Sequence, residues 1–90
     1  MPLVIVPAPY QGPTQGRGEI EVAGRTVREC IEAVARDHPG FREQVFDSQG
    51  RVHRFVSLFL NGAELPREAA VETPVVEQDR VEILAAIAGG

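Results

Sequence analysis

Ninety residues make one domain, with one modest core and little room for a deep catalytic pocket. Hydrophobic content of 43% beside 24% charged residues is that of a folded globular chain, not a disordered one. Thirteen acids against nine arginines leave a net charge of −4, which argues against gripping nucleic acid or an anionic membrane by charge.

Residues 3–6 are a branched apolar run stopped by Pro7 and read as a strand. The run is too short for a signal-peptide core, and no stretch approaches the roughly 20 apolar residues of a membrane span. The expected location is therefore cytoplasmic. Pro7, Pro9, Gly12, Pro13, Gly16 and Gly18 make residues 7–18 a loop. Residues 19–22 alternate polar and apolar, the pattern of a half-buried strand. Thr26 offers a helix N-cap, and Glu29 three residues later completes a capping-box pattern. Val27, Cys30, Ile31, Val34, Ala35 and His38 then fall on one helical stripe, ended by Pro39-Gly40. Residues 41–46 add a short helical turn, and Asp47-Ser48-Gln49-Gly50 is a turn. Residues 52–60 carry the strongest strand signal. Asn61-Gly62 is the dipeptide of type I′ hairpins, so residues 63–65 pair back. Residues 66–76 are ambiguous because Pro74 opposes a long helix. Gln78-Asp79 is a turn, and residues 80–85 form the last strand.

The order β-β-α-β-β-β predicts an α+β fold: a mixed sheet of about five strands with one main helix packed on one face. The first and last strands lie centrally and parallel, as in a β-grasp, or ubiquitin-like, domain. Residues 1–85 form this domain, and residues 86–90 form a flexible C-terminal tail. Alternation directs Val4, Val6, Ile20, Val22, Val56, Leu58, Leu60, Val81 and Ile83 toward the helix. Leu3, Ile5, Phe55, Phe59 and Leu84 fall on the other face, which has no second helix to cover it. Such a patch on a small domain marks a partner surface. The alternative is a second small core closed beneath the 7–18 loop.

The catalytic inventory is nearly empty. His38 stands at a helix end, where a cationic group is favoured, and His53 stands beside Arg54. The spacing implies no acid partner for either, so an enzyme built on His53 is set aside. Cys30 lies on the apolar stripe and reads as a small buried hydrophobe. One cysteine excludes an internal disulfide, and no spacing suggests zinc. Gly16-Arg17-Gly18 opens no helix and is not a phosphate loop. No bound cofactor, no metal and no catalytic residue in the enzymatic sense are expected. The chemistry is left to Gly89-Gly90. Glycine lacks Cβ, so this end passes through a channel too narrow for other residues. An α-carboxylate, with an ordinary pKa of about 3.5, is ionised at neutral pH and can attack the α-phosphate of ATP. Five extended residues carry it about 16 Å beyond the sheet.

A β-grasp order ending in Gly89-Gly90 resembles the ubiquitin-like sulfur carriers of the MoaD/ThiS group, over essentially the whole chain. The stretch from His53-Arg54-Phe55-Val56 through Leu60-Asn61, with the tail Ala86-Ile87-Ala88-Gly89-Gly90, is most similar to the CysO-type carriers of cysteine biosynthesis. The loop 7–18 and residues 63–77 are not diagnostic.

The resemblance implies a cycle run by partners. An E1-like adenylyltransferase/sulfurtransferase activates the Gly90 carboxylate with ATP and Mg²⁺, and a sulfur donor converts it to a thiocarboxylate. A PLP-dependent cysteine synthase, or a thiosugar, molybdopterin or thiazole synthase, accepts the sulfur. A metallopeptidase releases the product where cysteine is built on the carrier. Phe55, Phe59, Leu84, Ala86, Ile87 and Ala88 would dock on the activating enzyme. The competing reading is a non-conjugating β-grasp interaction module. The total absence of lysine is explained by GC-rich codon usage. A second reading is that it spares an activated C-terminus from self-conjugation.

Overall fold

Alternating apolar residues build a five-stranded mixed sheet in the computed structural model, which describes residues 1–85. The elements are β1 (Leu3–Ile5), β2 (Glu19–Glu21), α1 (Val27–Asp37), α2 (Phe41–Val45), β3 (Val56–Leu60), β4 (Ala63–Glu64) and β5 (Arg80–Ala85). The strand order is β2-β1-β5-β3-β4. β1 runs parallel to β5, with Leu3 opposite Arg80 and Ile5 opposite Glu82, and the other pairings are antiparallel. This is the β-grasp arrangement that the element order implies.

Helix α1 begins where its cap chemistry dictates. Thr26 Oγ1 accepts the Glu29 N–H at 3.1 Å. Glu29 Oε1 reaches back to the Arg25 N–H at 2.9 Å, one residue before the cap that a reciprocal capping box would serve. A cap of this kind contributes about 1 kcal/mol. Gly24 permits the close approach of the incoming chain. A Cβ there would lie 2.9 Å from both Cys30 N and Cys30 Sγ, so any side chain would collide with the first helical turn. At the other end His38 is the C-cap, its N–H donating to Val34 O. Gly40, at φ 99°, turns the chain into α2.

The core lies between one sheet face and the helices. Val4, Val6, Ile20, Val22, Val56, Leu58, Val81 and Ile83 are all buried, as alternation requires. They meet Val27, Cys30, Ile31 and Val34 of α1, and Phe41, Val45 and Phe46 at α2. Leu60 is half-buried and packs on the same cluster. The loop 7–18 opens with a 3₁₀ turn, Ala8–Tyr10, and joins this core through Tyr10. Thr14 is fully buried and donates from Oγ1 to Arg17 O at 2.8 Å. A Cβ on Gly40 would lie 3.4 Å from Pro13 Cγ, which places this loop on the helix side. It therefore does not close a second core over the opposite face. Residues 66–76 resolve into a 3₁₀ turn, Ala70–Glu72, followed by a bridge from Pro74 to Thr26.

The strand expected over 52–60 is shorter than its apolar pattern. Val52 makes an isolated bridge to Phe46, and the chain then turns, the Val56 N–H donating to His53 O at 3.0 Å. β3 starts only at Val56, so Phe55 leaves the sheet face to which alternation assigned it. The cause is three-dimensional. Arg67 donates to His53 O at 3.0 Å, Arg54 O at 2.7 Å and Val56 O at 2.8 Å, which holds the turn closed.

Candidate functional site

Five of the candidate residues, Ala86, Ile87, Ala88, Gly89 and Gly90, lie outside the described residues. The point from which they continue is well defined. Ala85, the last residue of β5, pairs with Val56, the first of β3. The chain thus leaves the sheet beside the turn formed by residues 53–56.

One surface reaching this exit is the sheet face without helices. Directly paired residues share a face. Register therefore sets Glu19, Ile5, Glu82, Phe59 and Glu64 in one row across all five strands. Leu3 and Leu84 share that face, Leu84 standing opposite Ser57. Leu3, Ile5 and Phe59 are half-buried, and Leu84 is 39% exposed. The face is apolar at Leu3, Ile5, Phe59 and Leu84, with carboxylates interleaved between these side chains. Phe59 and Leu84 stand where alternation puts them. The acids Glu19, Glu64 and Glu82 were missed as a set, although each occupies the outward phase of its strand.

A second surface is the turn itself. Phe55 is exposed and stacks on His53, with ring centroids 4.9 Å apart and 11° between planes. His53 Nε2 donates to Glu43 O at 2.9 Å, which fixes the tautomer and the ring. Asp47, Arg51, Val52, His53, Arg54, Phe55 and Arg67 line an open cleft of about 530 Å³. Asp47 is held below the usual carboxylate range by the backbone N–H groups of Arg51 and Gln49. Arg67 is the residue that sequence reasoning missed here. Its side chain acts across thirteen residues or so of chain, and no local pattern announces that.

The remaining polar candidates carry structure. Cys30 is fully buried, and burial pushes its thiol up to about 11, with Glu29 and Asp79 adding to the rise. Among the described residues no cluster of three or more His, Cys, Asp or Glu could hold a metal ion. No described helix is long and apolar enough to cross a membrane.

Residues 4–90 match the ThiS family. This chain belongs to the ThiS family. The ThiS-family chain is 29% identical over 89 residues to the sulfur carrier protein CysO of Mycobacterium tuberculosis, covering 97% of this chain and 96% of that protein. It superimposes on a chain in the crystal structure of the Amycolatopsis orientalis BexX/CysO complex with a TM-score of 0.90, 29% identity and complete coverage of both chains. The crystal structure of M. tuberculosis CysO gives a TM-score of 0.87 and 26% identity, covering 97% of this chain and 100% of that one. The family match runs through Gly89-Gly90, so it includes the feature that first suggested a carrier.

Proposed function

We propose that this chain is a sulfur carrier, a protein co-substrate and not itself an enzyme. The observation that carries the reading is the ThiS-family match over residues 4–90, which takes in the β-grasp domain and the Gly-Gly end together. The Gly90 carboxylate oxygen attacks the α-phosphorus of ATP in an E1-like enzyme, with Mg²⁺ bound there, and pyrophosphate leaves. The acyl-adenylate makes the carbonyl carbon electrophilic and AMP a good leaving group. Hydrosulfide displaces AMP to give the thiocarboxylate directly. A persulfide displaces it to give an acyl disulfide, which a thiol then cleaves to the same thiocarboxylate. An acceptor enzyme takes the sulfur next. The likeness to CysO favours a PLP-dependent cysteine synthase, with a metallopeptidase to free the product, over a thiosugar, molybdopterin or thiazole synthase.

The domain contributes position rather than proton transfer. Its rigid sheet fixes the root of the tail at Ala85, and the exposed face docks on the activating enzyme through Phe59 and Leu84. The interleaved carboxylates suit a partner surface that sets arginine or lysine around an apolar patch. The tail residues Ala86, Ile87 and Ala88 then thread the channel, and Gly89 and Gly90 enter its narrow end.

Intact-mass spectrometry tests the reading after incubation with an E1-like enzyme, ATP, Mg²⁺ and sulfide. The full chain is expected to gain the mass of an oxygen-to-sulfur exchange, and a chain lacking Gly90 is expected to gain none. Failure of several such enzymes to adenylate the full chain would favour a non-conjugating interaction module.

A further inference from the structure

We infer that the cationic cleft at the root of the tail, built by Arg51, Arg54 and Arg67 around the His53–Phe55 stack, is a second docking site. Its occupant is a set of carboxylates at the mouth of the activating enzyme's tail channel. The inference rests on the carrier reading and adds to it a partner chemistry that the sheet face does not supply.

Position is the first argument. The cleft includes residues 53–55, and Val56 pairs with Ala85, from which the tail continues. Any enzyme that draws in the tail brings the rim of its channel against this turn. Charge is the second. The chain as a whole is at −4, and the sheet face carries Glu19, Glu82 and Glu64 in one row, yet three arginines line the cleft. Its one acid, Asp47, is engaged by Arg51 at 3.9 Å and by the backbone N–H groups of Gln49 and Arg51. Among the described residues neither Arg54 nor Arg67 has a carboxylate within 4.0 Å. Arg67 donates to three neutral carbonyl oxygens and to no carboxylate among the described residues while it holds the turn.

Preorganisation is the third argument. The His53 ring is fixed by Glu43 O, and Phe55 lies stacked on it with half its surface exposed. An exposed aromatic held in one place beside cations is a low-entropy anchor for a partner. The two surfaces flanking the exit have opposite sign. A partner with the complementary pair of charges therefore accepts the carrier in one orientation, the one that aims the tail.

Arg54→Glu is the test, because Arg54 is exposed and donates no side-chain hydrogen bond among the described residues. Arg36→Glu, on an exposed position of α1, makes the same change in net charge and serves as the control. Pyrophosphate release by an E1-like enzyme is followed against carrier concentration, with melting temperatures of all variants. Arg54→Glu is expected to raise KM about tenfold at low salt with kcat nearly unchanged, the gap closing as salt screens the pair. Arg36→Glu and Arg54→Lys should stay near wild type. Equal KM values for Arg54→Glu and Arg36→Glu, with wild type fully active, would overturn the cleft alone. So would a normal activation step combined with slowed transfer from the preformed thiocarboxylate, which would move the occupant to the accepting synthase. A wild-type chain that is never adenylated would sink the carrier reading and this inference together.

Discussion

Cys30 illustrates how one residue is silenced by its surroundings. The thiolate is the reactive form, and burial makes it costly, with the negative charges of Glu29 and Asp79 adding to that cost. A thiol raised to about 11 is neutral at pH 7. Alkylation of the native protein by iodoacetamide at pH 8 is therefore expected to run about 100-fold slower than that of the guanidinium-unfolded chain. Comparable rates in the two states would contradict the burial. The stability sign follows from the raised pKa. The contribution is complete below the unfolded thiol's pKa, near 8.5, and is lost as pH climbs toward about 11. Its place on the apolar stripe was legible in sequence. The charge of Asp79 was not, because that residue comes near only through the sheet.

The β3–β4 hairpin shows an element fixed by local and distant chemistry at once. Asn61 at φ 51° and Gly62 at φ 87° both sit in the left-handed region, as the Asn-Gly pair implies. Asn61 also ties the hairpin to the start of β5. Its Nδ2 donates to Asp79 Oδ1 at 2.9 Å, and its Oδ1 accepts the Arg80 N–H at 2.9 Å. Asn61→Ala should cost roughly 1–2 kcal/mol in urea unfolding, from left-handed strain plus lost hydrogen bonds. Asn61→Gly should cost less, because it removes only the hydrogen bonds. Asp79 is held below its ordinary pKa first by Asn61 and then by the Val76 N–H. Its contribution is present above the unfolded carboxyl value and is lost as pH falls through the depressed one. Both Asn61 variants should thus lose stability less steeply below pH 4 than wild type does. An unaltered acid profile would count against this latch. The turn type was readable from two adjacent residues, whereas the partner at position 79 required the fold.

At the scale of the molecule, a small domain divides its sheet into a buried face and a face left for partners. Phe59→Ala and Leu84→Ala should each weaken docking on the activating enzyme by about tenfold, as truncated interface anchors do. Because neither side chain lies in the buried core, the variants should still unfold cooperatively. Loss of folding in both would assign them to the core and not to docking. The alternation of β1, β2 and β5, the stripe and cap of α1, and the Gly-Gly end are properties of neighbours in the chain. The sequence by itself therefore determined the element order, the helix-side core and the family. Tertiary structure alone decided that β3 begins at Val56, that Phe55 leaves the sheet, and that the arginines gather at the tail's root. It also set acids from three strands in line. Alternation is a local rule set by backbone geometry, whereas the Arg67 clamp and the row of Glu19, Glu82 and Glu64 exist only once distant segments meet.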